Sequence, residues 1–279
     1  MNNNKTSHLD VYLEEYTRQD IIARYISQTA GAGIAHVLTH VYAPIYIEAI
    51  HALISDRPKD HRLRVLEYGC GGGMNLLKIV ETLQSQRAEL DRAYGTDFSP
   101  PMIDAARREA RQHLPADLNA KLTYAVANNE ALSTDLGRAL SVAPEQLRGT
   151  FDLIVGVNTF RYCHRLHKES ESARDLFQLL SPGGWSIMID MNRHFPFFRS
   201  KLKNMFKRRS METYVPSLAE YTQPFAAAGF VVKQSRNFCW IPHSANSGLL
   251  WLGRSLTPVL DFCCSQFAMR SLVVAQKPH

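Results

Sequence analysis

The sequence is short of the features that would decide its class at a glance. Its five cysteines (Cys70, Cys163, Cys239, Cys263 and Cys264) are odd in number and never stand in C-x-x-C spacing. That pattern excludes a zinc ribbon and offers no disulfide framework, so reduced thiols in the cytoplasm are expected. No uninterrupted apolar run reaches the length of a membrane span. The nearest, Gly248 to Cys264, is broken by Arg254, Pro258 and Asp261. The opening residues MNNNKTSHLDVYLEEYTRQD lack the charged-then-apolar order of a secretory leader, which again points to the cytoplasm. Repeats and low-complexity tracts are missing too. A charge excess is nearly missing: the net charge of +6 is accounted for by Arg199, Lys201, Lys203, Lys207, Arg208 and Arg209, a stretch with no acid in it.

What is present is a globular composition. With 279 residues and 45% hydrophobic content, the chain can bury a sizeable core as one large domain or one domain with a cap. Residues 8–54 have helical periodicity. Val11, Tyr12, Ile21, Ile22, Tyr25 and Ile26, then Ile34, Val37, Leu38 and Val41, recur at three- and four-residue steps around the break TAGAG (29–33). The polar stretch SDRPKDHR (55–62) closes this unit, giving a helical cap over 1–62 and a second unit over 63–279.

From Leu63 short apolar runs alternate with helical patterns. RVLEYG, RAYGTD, KLTYAVA, FDLIVGVN and GWSIMIDM read as strands, with helices between them, which predicts an α/β fold with a doubly wound, mostly parallel sheet. FVVKQSRNFCW (230–240) and AMRSLVVAQ (268–276) read as a closing pair, the last strand antiparallel, for seven strands in all. The segment 241–267 between them reads as an insertion, and 193–214 as a lid.

The stretch RVLEYGCGGGMN (64–75) places Glu67, Gly69, Gly71 and Gly73 at alternate positions between a strand and a helix. Glycines there let backbone approach a ligand closely. A dinucleotide fingerprint starting at Gly69 needs a third glycine where Met74 stands, and one starting at Gly71 needs it where Leu76 stands. A Walker loop is excluded because no G-K-S/T follows.

The remaining pattern, E-x-G-x-G-x-G at the end of a first strand, resembles the class I S-adenosylmethionine-dependent methyltransferases. In that family the loop backbone lies against the methionine part of S-adenosylmethionine, and the acid, here Glu67, helps orient its amino group. Asp97, Ser99, Met102, Ile103 and Ala106 match the family's D-x-S-x-x-M-I-x-x-A. The resemblance implies that Asp97 accepts the ribose hydroxyls, that Phe98 lies against the adenine, and that Met102 belongs to the same pocket. VANNEAL (126–132) resembles G-D-A-E-x-L, with Asn128 in place of the acid that meets the adenine amino group and Asn129 beside it. An amide oxygen can still accept that hydrogen bond. LLSPGGWSIMIDMN supplies the family's L-x-P-G-G before strand five. The likeness covers 63–191 well and 215–276 in strand order.

Ligands of such sheets lie at the carboxyl ends of the strands. Asn158, at the end of the fourth, is therefore expected beside the sulfonium, with Arg161, Tyr162 and His164 as candidates for orienting the acceptor or removing a proton. Asn158-Thr159-Phe160 lacks the prolines of the amino-methyltransferase run N-P-P-[YF], so nitrogen is not inferred as the acceptor atom. His36 and His40, four apart on a cap helix without an attendant acid, read as helix surface, and no metal is expected. In the lid, Phe198, Leu202, Met205 and Phe206 share one helical face opposite the basic residues.

Three readings follow for the basic face: a solvated lid, an entry funnel for an acidic small-molecule substrate, or contact with nucleic acid or a membrane surface. Nucleic acid is disfavoured because no RNA-binding accessory unit is visible. The leading expectation is methyl transfer to a small molecule, in the setting of secondary metabolism. A cyclase resembling azetidine-2-carboxylate synthases, which releases methylthioadenosine, and a non-catalytic cofactor-binding module are the alternatives. Nothing in the sequence speaks to oligomeric state.

Overall fold

A computed structural model describes residues 31–196 and 215–279. The helix expected over 11–26 and the lid face Phe198, Leu202, Met205 and Phe206 lie outside the described residues. The seven strands are β1 (Leu63–Tyr68), β2 (Leu90–Asp97), β3 (Leu122–Val126), β4 (Phe151–Val157), β5 (Leu180–Met191), β6 (Val231–Phe238) and β7 (Arg270–Gln276). They form one sheet in the order β3-β2-β1-β4-β5-β7-β6. β1 to β5 pair in parallel, and β7 runs antiparallel to both neighbours, as the closing pattern predicts.

Strand alternation explains where the core sits. Val65 and Leu66, Ile187 and Met188, and Leu272 and Val273 are neighbours in sequence that face opposite sides of the sheet. On one side Val65, Ile187 and Leu272 join residues of α1 (Ala32–Asp56), α2 (Met74–Ser85) and α3 (Pro100–His113). On the other, Leu66, Met188 and Val273 pack with α4 (Leu132–Leu140), α5 (Phe160–Arg165), α6 (Glu169–Leu179) and α7 (Leu218–Ala227). Both faces are covered over the central strands β1, β4, β5 and β7, which are mostly buried, whereas the edge strand β6 is polar and largely exposed.

One expectation needs correction. The helix α1 is long and apolar enough, by length and composition alone, to cross a membrane, which the interrupted sequence pattern had hidden. Here Val37, Tyr42, Tyr46, Ile50 and Leu53 are buried in the sheet core, as in the core helix of a globular unit. A π-helical turn, Leu38–Tyr42, lies within it. The insertion 241–267 is also mostly regular: α8 (Ser247–Cys264) is capped by Asn246, whose Oδ1 accepts the Leu249 N–H at 3.0 Å. The charges and Pro258 that broke the apolar pattern lie within this helix.

Candidate active site

The glycine loop follows β1, and its alternation has a conformational cause. Gly69 (φ 67°), Gly71 (φ 51°) and Gly73 (φ 83°) all lie in the left-handed region that side chains resist. Gly69 also passes so close to the exit of β4 that a Cβ there would run into the Thr159 side chain. Gly73 is the N-cap of α2.

Glu67 lies beneath this loop rather than in the cavity above it. Its Oε2 accepts the Leu76 N–H at 2.8 Å, in the first turn of α2, while Oε1 is buried with no hydrogen-bond partner among the described residues. Burial pushes its carboxyl up to about 8. Asp97 ends β2 and ties the two neighbouring loops together: Oδ2 accepts the Gly71 N–H and Oδ1 the Ser99 N–H, each at 2.9 Å. Burial raises it to about 6, against the pull of those two donors. Each of its oxygens keeps a lone pair for another donor.

A cavity of about 140 Å³ opens over these strand ends, lined by Gly69, Gly71, Asp97, Phe98, Met102, Asn129, Asn158, Arg161 and Tyr162 among others. Most of the residues singled out from the sequence thus meet at one place. Asn129 Nδ2 donates to Thr159 Oγ1, and its Oδ1 is buried without a partner among the described residues. Asn128 points away: its N–H and its side-chain amide both hold Asp135 Oδ2, at 3.0 and 2.9 Å. His164 also leaves the site. It is buried against Phe160 and Tyr221, with ring centroids 5.3 and 6.1 Å away, and burial holds it below the usual histidine range.

The exit of β4 is held by β5. Arg161 Nε lies 3.3 Å from Asp190 Oδ1, and Arg161 Nη2 donates to the Tyr162 hydroxyl at 2.7 Å. Asn158 occupies the left-handed region (φ 58°), and its Oδ1 accepts from Arg270 Nη1. Beyond it Tyr42 and His243 form a side-chain hydrogen bond at 3.3 Å; burial, and then the charge of Arg270, push His243 down to about 3. Tyr42, Asp190 and Arg270 were not found by sequence reasoning. A second cavity, of about 480 Å³, lies between α1, α8 and the end of β6, with His36 and His40 on its wall.

A family model described as a methyltransferase domain matches residues 38–235. The chain belongs to this methyltransferase family. Its fold is that of class I S-adenosylmethionine-dependent methyltransferases, and its cofactor is S-adenosylmethionine. Among curated relatives, the reducing polyketide synthase grgA of Penicillium sp. is 30% identical over 134 residues, which cover 48% of this methyltransferase and 5% of that protein. Polyketide synthase 19 of Gibberella fujikuroi is 27% identical over 146 residues, covering 52% and 5%. The methyltransferase therefore spans about 5% of the length of the curated relatives it matches. Among solved structures, the DszA carbon methyltransferase superposes with a TM-score of 0.59 at 15% identity, covering 97% of this chain and 62% of that one. The CMeT domain of the citrinin polyketide synthase gives 0.58 at 15%, covering 99% and 60%.

Proposed function

We propose that the chain transfers a methyl group from S-adenosylmethionine to a small acyl-type molecule of secondary metabolism, in a site covering the ends of β1, β2 and β4. The observation that carries this reading is the shared cavity of the glycine loop, Asp97, Asn129 and Asn158. Asp97 would receive the ribose hydroxyls, Phe98 and Met102 would flank the adenine, and Asn129 Oδ1 would accept a donor that none of the described residues supplies. When bound, the cofactor supplies an electrophilic methyl group. The chain's own part is to hold the acceptor in line with it and keep water out. Glu67, under the loop, positions α2, and Gly73 lets that helix start; both act on the cofactor site through the backbone. Residues 1–62 are proposed as a cap over a catalytic unit of 63–279.

The acyl-type acceptor is supported by likeness to polyketide synthases and to carbon methyltransferases. The test is to incubate the purified protein with S-adenosylmethionine alone and then with a panel of β-keto thioesters, identifying the nucleoside and the acyl product. S-adenosylhomocysteine together with a methylated thioester, formed only with acceptor, is expected. Methylthioadenosine formed without acceptor would replace this reading with internal cyclisation of the cofactor.

A further inference from the structure

The orientation of Asn158 says what kind of atom the acceptor turns toward it. An amide side chain can present either its oxygen or its N–H donors, and the sequence leaves that choice open. Arg270 decides it. A guanidinium carries donors only, so the atom that meets Arg270 Nη1 is Asn158 Oδ1. With the oxygen turned to Arg270 and the backbone N–H of Asn158 given to Ile189 O at 2.7 Å, the donor that Asn158 has free at the cavity wall is the Nδ2 amide. Pairing with a cation polarises that amide and strengthens it as a donor.

The surrounding charges agree. Arg270 is 5% exposed, and among the described residues its Nε has no hydrogen-bond partner and it forms no ion pair. Asp190, wholly buried, is the carboxylate of this cluster, and it is paired to Arg161. Among the described residues Arg270 is thus left without a counter-ion of its own, a positive charge in a medium where uncompensated charge is expensive. The groups next to Arg270 bring no anion: burial holds the Tyr42 and Cys239 side chains protonated and His243 neutral. An amine acceptor would meet donors and a positive field. An oxygen anion would meet both of its needs.

We propose that Asn158 Nδ2, held in place by Arg270, binds an oxygen anion of the methyl acceptor, either an enolate or a carboxylate, and that the site selects acceptors in that ionised form. This rests on the reading given under Proposed function. Asn158 touches the acceptor; Arg270 is a positioning residue that acts through it. For an enolate the balance is simple. The acceptor loses its α-proton to solvent before transfer, and its carbon lone pair forms the new C–C bond. The S–CH3 bond breaks with its pair left on sulfur, so one negative and one positive charge disappear together.

The probe is acetylacetone, whose enolate has its own ultraviolet band, titrated with base against protein saturated with S-adenosylhomocysteine. Butyrate and butylamine serve as competitors, and cofactor-product affinity is measured separately by calorimetry. Wild-type protein is expected to lower the apparent acidity constant of the bound probe by about one to two pH units, the range of a charge-assisted hydrogen bond. Asn158→Asp, which turns the donor into a second acceptor, should abolish the shift. Arg270→Met should lose most of it, and Arg270→Lys should restore part. Displacement by butyrate assigns the site to carboxylates as well; resistance to butyrate assigns it to enolates.

Absence of any shift in wild-type protein that binds S-adenosylhomocysteine overturns the proposal, as does displacement by butylamine. An equal shift in Asn158→Asp overturns it even if Arg270→Met does not fold. Weaker S-adenosylhomocysteine binding in Arg270→Met with an unchanged enolate shift would hand Arg270 to the cofactor instead. Failure of wild-type protein to bind S-adenosylhomocysteine would overturn the function reading itself, and this proposal with it.

Discussion

Arg161 and Asp190 are joined twice: the guanidinium Nε lies 3.3 Å from Oδ1, and the Arg161 backbone N–H donates to Oδ2 at 2.9 Å. The carboxylate of β5 thereby fixes the turn that leaves β4, which carries Asn158, Thr159 and Tyr162. Both side chains are buried, Asp190 wholly so and Arg161 to all but 6%.

Removing the cation alone should therefore be costly. Arg161→Met leaves Asp190 charged and buried, with an expected loss of about 3–5 kcal/mol. Pairing it with Asp190→Asn should return part of that loss. Urea denaturation of the two single variants and the double variant checks this; equal losses that simply add would show that the pair is not coupled.

Asp97 organises the cofactor loops as well as facing the cavity. Asp97→Ala should weaken S-adenosylhomocysteine binding by about 1.5–3 kcal/mol, from lost hydrogen bonds to a charged acceptor. Asp97→Asn keeps one acceptor oxygen and should lose less. Calorimetric titration tests both, and unchanged affinity in the alanine variant would remove Asp97 from the ribose role.

The buried carboxyls also set a pH dependence. Folding raises Glu67 to about 8 and Asp97 to about 6, both through burial. A raised carboxyl means that the folded state binds the proton more tightly than the unfolded chain. The contribution is full below the unfolded carboxyl range, near pH 4 by the usual reference values, and is lost as pH rises through the folded values. Below about pH 6.5 the depressed histidines His164 and His243 work in the opposite sense, so the clean window lies above it: the protein without cofactor should melt at progressively lower temperature from about pH 7 to pH 9. Glu67→Gln should flatten the upper part of that profile; a wild-type profile that rises over this range would contradict the burial of Glu67.

His164 is expected to matter for stability and little for turnover. His164→Phe places an apolar ring between Phe160 and Tyr221, leaving kcat and KM within about threefold if the residue is only packed. A thousandfold loss of kcat without loss of fold would return His164 to the role of base, since general acid–base catalysis supplies about 10²–10⁴-fold.

The cofactor half of the site was legible in sequence because its determinants are local. A left-handed φ leaves a glycine, a strand end leaves an acid, and a helix start leaves Ser99 and the prolines after it. Those marks, read through the resemblance to class I methyltransferases, placed Gly69, Gly71, Asp97, Phe98 and Met102 around one cavity in advance. Of the proposed acceptor half, Asn158, Arg161 and Tyr162 were legible. Arg270 reaches Asn158 from β7, 112 residues away. Nothing in its own neighbourhood marks such a pairing. Asn128 and Asn129 differ by one position, and the short 3-10 turn Asn129–Ala131 turns the second inward and leaves the first on Asp135. His164 read as exposed chemistry because a helix of six residues, Phe160–Arg165, is too short for periodicity to say which face is buried.

A crystal structure of the S-adenosylhomocysteine complex tests the central claim most directly. The account predicts the ribose hydroxyls on the Asp97 carboxylate, the adenine between Phe98 and Met102, and the sulfur facing Asn158. Nucleoside density elsewhere, with Asp97 still held only by Gly71 and Ser99, would contradict it.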